Sequence, residues 1–319
     1  MPDLTALGEL LIDFTYYGQS AGGTRLFEQN CGGAPANVAC CAARLGANAA
    51  FIGKVGDDMH GTYLKHTLEA YGVDTHNLLV DNSVFTTLAF VSLEPNGERS
   101  FSFARKPGAD TFLQEDELDP ALLQSTKVLS VGSLSLTDEP ARSATLAAVR
   151  IAKEAGACIA YDPNYRPSLW PSPAFAAEQM RSLLPYVDLL KVSEEELAIL
   201  VEAASPEQAI RTLHAMGIGV VAVTLGDQGA LLGAHHAIQH VPAFATHAVD
   251  TTGAGDAFWG AFLFAYLQSE KPLSALTFED ILHFAVFGNA AASCCVQKRG
   301  AIPAMPSLEE AMRTYRFQE

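Results

Sequence analysis

Short runs of apolar residues alternate along the chain with longer segments in which apolar residues recur every three or four positions. Some runs, such as residues 219–224, are apolar on both faces, as strands covered by helices on both sides must be. Strands are predicted at residues 4–12, 49–54, 127–131, 158–162, 189–192, 220–224 and 230–232. Helices are predicted at residues 36–45, 142–155, 206–216, 254–268 and 278–295. This alternation predicts a doubly wound α/β fold with a mostly parallel sheet flanked by helices.

Two stretches depart from this alternation and have the pattern of strands. They are residues 15–30 and 84–106, and a Pro-Asn-Gly sequence in the second predicts the turn of a hairpin. The pattern fits ordinary surface hairpins as well as one small sheet inserted into the main domain. We predict the inserted sheet, as a small β lid of residues 15–30 and 84–106 over a cleft. The main α/β domain then comprises residues 1–14, 31–83 and 107–319.

The composition excludes several classes of protein. Hydrophobic residues make up 49% of the chain, which is ample for a packed core. Acidic residues outnumber basic ones by 36 to 20, giving a net charge of −16, so neither nucleic acid nor an anionic membrane is an expected partner. A bound anion such as a nucleotide must therefore be held by local backbone dipoles.

The N-terminus and the cysteines bear on location. No basic segment followed by an apolar one begins the chain, and the apolar run at 257–267 is shorter than the ~20 residues of a membrane-spanning helix. The six cysteines include no CxxC sequence, which favours a reducing compartment. The sequence therefore predicts a cytoplasmic protein.

A Gly-Ala-Gly-Asp sequence at residues 253–256 carries the clearest chemical signal. It opens the helix predicted at 254–268, where the first backbone N–H groups have no partner within the helix. Together with the helix dipole, these amides can hold an anion such as a phosphoryl group in transfer. Asp256 would lie beside that anion and act as general base towards a hydroxyl. The alternative is an aspartate that only stabilises the start of the helix.

A second glycine-rich turn, at residues 30–33, leads into the helix predicted at 36–45. Asn37 in this helix can offer both a donor and an acceptor to a hydroxylated ligand. No GxxxxGK[ST] sequence occurs, and no GxGxxG follows a strand at the required place, which excludes P-loop and Rossmann nucleotide sites.

These motifs resemble the signatures of the ribokinase/PfkB family of sugar kinases. Residues 32–39, with Gly46 and Gly56, resemble the first signature, and residues 250–256 resemble the second. Residues 224–229 resemble the nucleotide-binding loop of the family. The resemblance extends from Gly8 to Gly300. It implies a ribokinase-like fold and ATP-dependent phosphorylation of a sugar hydroxyl, with Mg²⁺ and, in many members, K⁺.

The resemblance also assigns individual residues. Asp256 would be the catalytic base, and the anion hole would be formed by the amides of Gly253, Ala254 and Gly255. The sugar hydroxyls would be held by Asp13, Gly32, Gly33 and Asn37. The residues at the ATP site would be Lys191, Ser193, Thr224, Gly226, Gly229 and Asn289. The monovalent cation would lie near Asp250, Thr252, Cys295 and Gly300. Glu196 would belong to the Mg²⁺ and phosphate motif, in which Ser193 replaces the family's asparagine but keeps a hydroxyl for a metal-held water.

The choice of sugar depends on residues 103–110 and 162–170, which resemble segments of fructokinases within the family. The second segment also resembles 2-keto-3-deoxygluconate kinases. Arg105 and Arg166 are candidate sugar ligands, although both could be structural arginines. No second basic cluster lies nearby, which favours a neutral hexose, and we predict conversion of D-fructose to fructose 6-phosphate. Alternatives are another PfkB-type sugar kinase or a catalytically idle, kinase-like binding protein. Family analogy makes the lid a candidate homodimer contact.

Three other groups of residues are predicted to be structural. His235, His236 and His240 have no acids or cysteines nearby in the sequence and are not expected to bind a metal. The Cys40–Cys41 and Cys294–Cys295 pairs are expected in the core. The aromatic residues between 258 and 266 are expected on a buried helix face.

Overall fold

The computed structural model describes residues 1–93 and 99–316. The strands are β1 (Leu4–Leu7), β2 (Leu11–Gln19), β3 (Arg25–Gly32), β4 (Ala49–Gly56), β5 (Val73–Asp74), β6 (Leu78–Asp81), β7 (Leu88–Leu93), β8 (Arg99–Ala104), β9 (Val128–Gly132), β10 (Cys158–Asp162), β11 (Leu189–Ser193), β12 (Val220–Thr224), β13 (Ala230–Ala234) and β14 (Ala237–Val241). The helices are α1 (Ala34–Leu45), α2 (Met59–Ala70), α3 (Pro120–Ser125), α4 (Ala141–Glu154), α5 (Pro173–Ser182), α6 (Glu194–Leu200), α7 (Pro206–Ala215), α8 (Ala254–Gln268), α9 (Phe278–Cys295) and α10 (Leu308–Arg316).

In the described part of the chain, ten strands form a large sheet in the order β14-β13-β12-β11-β10-β9-β1-β4-β5, with β6 also paired to β4. All neighbours from β12 to β5 run parallel, whereas β13 and β14 add an antiparallel edge. The predicted fold class, a mostly parallel sheet flanked by helices, is confirmed.

Helices cover both faces of this sheet, because successive side chains of a strand point to opposite faces. On β10, Ile159 and Tyr161 pack in the core beneath α4 and α5, whereas Cys158 and Ala160 pack in the core formed with α8 and α9. The five helices predicted from apolar spacing are all present, and the limits of α8 and α9 coincide with the prediction.

The small sheet has the strand order β3-β2-β7-β8. The β2–β3 and β7–β8 pairs are antiparallel, and β2 runs parallel to β7. The hairpin predicted within residues 84–106 is therefore confirmed, although its turn at residues 95–97 lies outside the described residues. The expected domain limits at residues 15 and 30 fall inside β2 and β3, and the division into domains stays a prediction.

The single strand predicted at residues 4–12 is wrong. The chain leaves the large sheet after β1 and enters the small sheet at β2, with Gly8 between them at a φ of +152°. Leu7, Leu10 and Ile12 are all fully buried, so the apolar pattern continues across the break and does not reveal it.

The predicted structural roles of the cysteines and aromatic residues are confirmed. All six cysteines are buried and unpaired. Phe258, Trp259 and Phe262 of α8 are almost completely buried. Within the residues that the structure covers, none of the helices combines the length and the apolar character needed to cross a membrane.

Candidate active site

The Gly-Ala-Gly-Asp sequence lies where α8 begins. Gly253 precedes the helix in the left-handed region, at a φ of +76°, and a Cβ there would lie only 2.9 Å from the Ala301 Cβ. In the described residues no side chain caps this helix end. Ala254 N–H donates a hydrogen bond of 3.3 Å to the Thr251 carbonyl oxygen. The start of α8 is therefore a turn of small residues with little side-chain bulk around its amides.

Asp256 occupies the first turn of α8 and is buried. Its Oδ2 accepts a hydrogen bond of 2.7 Å from the Nδ2 of Asn37 on α1. The two helices pack closely because Gly260 lacks a side chain: a Cβ there would lie 2.7 Å from the Cys41 Cβ. The two sequence signatures, separated by more than 200 residues, thus meet through one hydrogen bond.

The other expected sugar ligands lie where the small sheet joins the large one. Asp13 on β2 and Gly32 at the end of β3 are close neighbours, and a Cβ on Gly32 would overlap the Asp13 carboxylate. Gly33 precedes α1 at a φ of +111°, and a Cβ there would overlap the Glu9 carbonyl oxygen. Both glycines allow an approach that no side chain would permit.

A cavity of about 440 Å³ opens beside the start of α8. Four of the six expected ATP-site residues line it, namely Thr224, Gly226, Gly229 and Asn289, and so do Ala254 and Gly255 of the anion hole. Asn289 donates to the carbonyl oxygens of Val241 and Pro242, which ties α9 to the end of β14. The cavity is lined by apolar side chains together with a few polar ones, as is usual for a small-molecule site.

Part of the cavity wall is formed by residues that the sequence motifs do not predict. Phe244 and Thr246, in the irregular segment after β14, line the cavity together with Phe258 and Ser293. The segment contains no glycine-rich motif and no periodicity, so only its position next to α9 reveals its contact with the cavity.

Lys191 and Asp162 form a buried ion pair close to the anion hole. They lie on neighbouring strands, Lys191 in the middle of β11 and Asp162 at the end of β10, with Lys191 Nζ 2.6 Å from Asp162 Oδ2. A Cβ on Gly255 would lie 3.0 Å from the same Nζ, so the ammonium group lies against the first turn of α8. Neither Lys191 nor Ser193 lines the 440 Å³ cavity. Lys191 is instead placed between that cavity and Asp162.

Burial and neighbouring acids shift the pKa values of this pair. Desolvation raises the pKa of Asp162 to about 6, against the opposing attraction of Lys191 and with additional repulsion from Glu196 and Asp256. Desolvation alone would lower the pKa of Lys191, but its attraction to Asp162, Asp256 and Glu196 outweighs that effect and raises it. Lys191 therefore stays charged at neutral pH among three acids.

Ser193 and Glu196 form the N-terminal cap of α6. The Ser193 hydroxyl accepts from Glu196 N–H at 3.3 Å, and Glu196 Oε2 accepts from Ser193 N–H at 2.8 Å. Glu196 Oε1 accepts from Tyr165 N–H at 2.6 Å. The serine that replaces the family's asparagine thus has a structural role in this chain, and its contact with ATP stays a prediction.

The residues present fit Mg²⁺ only as a partner of phosphates. Within residues 1–93 and 99–316, no group of three or more His, Cys, Asp or Glu side chains could hold a metal by itself. Mg²⁺ commonly binds one or two carboxylates together with substrate phosphates and waters. Glu196, which is buried and interacts electrostatically with Lys191 and Asp162, is a donor of that kind.

The four residues expected near a monovalent cation come together. Asp250 accepts from Thr252 N–H at 2.9 Å and from Gly300 N–H at 3.0 Å. The Cys295 thiol lies 3.8 Å from the Thr252 carbonyl oxygen. The Asp250 carboxylate and the Thr252 carbonyl supply oxygen donors of the kind that hard cations prefer.

The two arginines are engaged with the protein. Arg105 is buried and uses all three nitrogens, donating to the Asp110 carboxylate, the Thr137 hydroxyl and the Leu134 carbonyl. Arg166 donates to the Tyr165 carbonyl at 3.1 Å. The geometry favours a structural role for Arg105, and contact of either arginine with sugar stays a prediction. His235, His236 and His240 belong to the β13–β14 hairpin and join no metal-binding group in the described ranges.

Residues 1–308 match the model of the pfkB family of carbohydrate kinases. The chain belongs to this family. Fructokinase-2 of Zea mays is 43% identical over 312 residues, which is 97% of this chain and 92% of the relative. The solved fructokinase of Xylella fastidiosa with bound ATP has a TM-score of 0.92 at 33% identity and covers 100% of this chain and 99% of its own. A fructokinase of Vibrio cholerae O395, in a form with fructose, ADP and potassium ion, has a TM-score of 0.90 at 33% identity, with 99% and 98% covered.

Membership in the pfkB family confirms the predicted enzyme class and the ribokinase-like fold. The chain is an ATP-dependent sugar kinase, similar to fructokinases over its whole length. The roles assigned to single residues stay predictions.

Proposed function

We propose that this pfkB kinase transfers the γ-phosphoryl group of ATP to the primary hydroxyl of D-fructose, forming fructose 6-phosphate. The observation that carries the proposal is the Asn37–Asp256 hydrogen bond at the start of α8, beside a cavity lined by four of the expected nucleotide ligands. The similarity to the maize fructokinase, and to the Vibrio cholerae fructokinase in its form with fructose and ADP, supports this choice of substrates.

Asp256 takes the proton of the attacking hydroxyl in the proposed reaction. The sugar oxygen then forms a bond to the γ-phosphorus, the bond between that phosphorus and the β–γ bridging oxygen breaks, and ADP leaves with the released electron pair. Asn37 donates to one carboxylate oxygen of Asp256 and so orients the other towards the sugar. The amides of Gly253, Ala254 and Gly255 stabilise the charge that develops on the phosphoryl oxygens.

Lys191 adds a full positive charge next to these amides. Its ammonium group lies against Gly255 and is held by Asp162, which supports a proposed contact with the β- and γ-phosphates. Glu196 would hold Mg²⁺ together with the phosphates, and the metal when bound neutralises phosphate charge. Asp250, Thr252, Cys295 and Gly300 would hold K⁺ behind the anion hole.

The main alternative substrate is 2-keto-3-deoxygluconate, a sugar acid. Recognition of its carboxylate would call for an available cation, whereas Arg105 already donates from all three of its nitrogens. This observation favours the neutral sugar.

A coupled assay of ADP release tests the substrate directly. The purified enzyme is assayed with fructose, 2-keto-3-deoxygluconate, ribose and adenosine at matched concentrations. We expect the highest kcat/KM with fructose. A preference for the sugar acid would favour the alternative, and the absence of turnover with every sugar would favour an idle, kinase-like binding protein.

We also propose a homodimer that forms through the small sheet, in a reducing cytoplasmic environment. Tyr16, Tyr17, Phe27 and Phe90 each expose at least 36% of their surface on that sheet, and Phe27 contacts both Tyr16 and Phe90. Exposed aromatic clusters of this kind mark protein contacts.

Sedimentation tests the dimer. Phe27→Glu should sediment as a monomer where the wild type is a dimer. Met216→Glu, at an exposed apolar residue after α7, is the control and should remain a dimer. A monomeric wild type would contradict the proposal.

A further inference from the structure

Glu9 is a buried acid for which the proposed function gives no role. It lies between β1 and β2, where the chain first crosses from the large sheet to the small one. Its side chain is 2% exposed. Oε1 accepts a hydrogen bond of 2.9 Å from Ala34 N–H, and Oε2 has no hydrogen-bond partner among the described residues.

The bond to Ala34 serves as the N-terminal cap of α1. The residue before this helix is Gly33, which has no side chain and adopts a φ of +111°. A Cβ at position 33 would overlap the Glu9 carbonyl oxygen, so the usual capping serine, threonine or aspartate is excluded there. Glu9 supplies the missing acceptor from 25 residues away, and its carboxylate suits the positive end of the helix dipole.

The helix that Glu9 holds carries Asn37 in its first turn. Asn37 N–H donates to the Gly33 carbonyl at 2.8 Å, and its side chain donates to Asp256. The side-chain oxygen of Asn37, Oδ1, is buried without a hydrogen-bond partner in the described residues. Because that first turn holds both Ala34 and Asn37, a shift of its backbone would change the distance from Asn37 to Asp256.

The groups around Glu9 belong to the other crossings between the two sheets. Asp110 and Arg105 are its charged neighbours. Arg105 follows β8 and is paired with Asp110, and Thr87, just before β7, donates its hydroxyl to Asp110. Glu9 is therefore a charged neighbour of the buried Arg105–Asp110 pair, which lies where the small sheet joins the large one.

We propose that Glu9 is a positioning residue for phosphoryl transfer: it fixes the N-terminus of α1 and, through Asn37, aligns Asp256 with the sugar bound beneath the small sheet. This inference rests on the proposed roles of Asn37 and Asp256. If the cap were purely structural, its removal would change the free energy of unfolding but not kcat or KM. Experiment can therefore separate the two cases.

Three variants of the full-length enzyme test the proposal by steady-state kinetics. Glu9→Met removes the acceptor at nearly the same volume, and Glu9→Gln keeps an oxygen for Ala34 N–H. Ser205→Ala removes the N-terminal cap of α7, a helix that carries none of the expected site residues. We expect Glu9→Met to lower kcat/KM for the sugar by ~10- to 100-fold, the scale of a small misplacement of a catalytic group, with KM for ATP within about twofold of wild type. Glu9→Gln and Ser205→Ala should keep near wild-type kinetics.

Wild-type kinetics in Glu9→Met would overturn the proposal. So would an equal decrease of kcat/KM for the sugar in Glu9→Met and Glu9→Gln, or an increase of KM for ATP in parallel with that decrease. If Glu9→Met does not fold, Glu9→Asp takes its place. Its side chain is shorter by one methylene, so it keeps the charge but no longer reaches Ala34 N–H. We expect kcat/KM for the sugar to be lower in Glu9→Asp than in Glu9→Gln by the same ~10- to 100-fold. The comparison uses whichever sugar the wild type phosphorylates. A wild type inactive on fructose would contradict the proposed substrate alone, and the Glu9 variants are judged independently of that result.

Discussion

At the scale of single residues, the active site depends on pairs that share one function. In the proposed reaction Asp256 supplies the carboxylate and Asn37 orients it, and no side chain caps the start of α8 in the described residues. Lys191 is likewise effective only because Asp162 holds it beside Gly255. Each functional group therefore has a partner that fixes its position, which is what transition-state stabilisation requires.

Replacing Asp256 tests the base itself. Asp256→Asn should lower kcat by ~10²–10⁴ because the amide cannot accept the hydroxyl proton, while both KM values stay within a few-fold. Asp280→Asn is a matched control, since Asp280 is also an aspartate in the first turn of a helix but lies on the exposed side of α9. Near wild-type turnover in Asp256→Asn, measured by ADP release, would show that Asp256 only stabilises its helix.

Glu9 makes stability depend on pH. Desolvation raises its pKa to about 7, opposed by the Ala34 amide and reinforced by Asp110. Between the unfolded value of 4.5 and about 7, the folded state keeps a proton that the unfolded chain releases, so stability falls as pH rises through this range. The full loss is up to about 3 kcal/mol.

Glu9→Gln removes this titration. When unfolding is followed in urea, the free energy of unfolding of the variant minus that of wild type should be larger at pH 8 than at pH 5. Glu310→Gln is the control, because the pKa of Glu310 is lowered to about 2 and that group stays ionised throughout the range. An equal difference from wild type at both pH values for Glu9→Gln would contradict the prediction.

At the scale of elements, the site is built from the starts of helices and the carboxyl ends of parallel strands. In the proposed site the start of α8 provides the amides, α1 provides Asn37, the end of β10 provides Asp162 and the middle of β11 provides Lys191. All parallel strands of the sheet end at the same edge, so side chains that follow different strands converge there.

The contact between α1 and α8 depends on Gly260. Alanine is favoured over glycine inside a helix by about 1 kcal/mol, but here its Cβ would lie 2.7 Å from the Cys41 Cβ and 2.9 Å from the Val38 carbonyl oxygen. Gly260→Ala should therefore destabilise the protein by ~1–3 kcal/mol in thermal unfolding and lower turnover, because it separates Asn37 from Asp256. A variant of raised stability and full activity would show that the two helices can separate without consequence.

At the scale of the whole molecule, a chain of net charge −16 binds a nucleotide triphosphate. Its overall field opposes that binding, so we expect the attraction to come from groups within the proposed site, namely the α8 amides, Lys191 and bound cations. The buried Arg105–Asp110 pair, with Glu9 as a charged neighbour, lies where the small sheet joins the large one.

The proposed cation site predicts a response to the monovalent ion. Exchange of Na⁺ for K⁺ at constant ionic strength should raise kcat, because a cation near Asp250 and Gly300 would fix the loop that precedes the anion hole. Asp250→Asn should reduce the difference between the two ions. Equal rates in both salts would identify a cation-independent member of the family.

Local pattern alone determined the alternation of strands and helices, the exact range of α8, the two glycine-rich signatures and, through them, the family. These properties depend on the spacing of residues close together in the chain, which a sequence displays directly. Packing decided the rest. The Asn37–Asp256 bond, the Lys191–Asp162 pair, the capping role of Ser193 and the break between β1 and β2 all depend on which distant segments meet. Glu9 is the clearest case. In the sequence it is one acid in an apolar run, and only the tertiary structure brings Ala34 N–H close enough for its carboxylate to cap a helix.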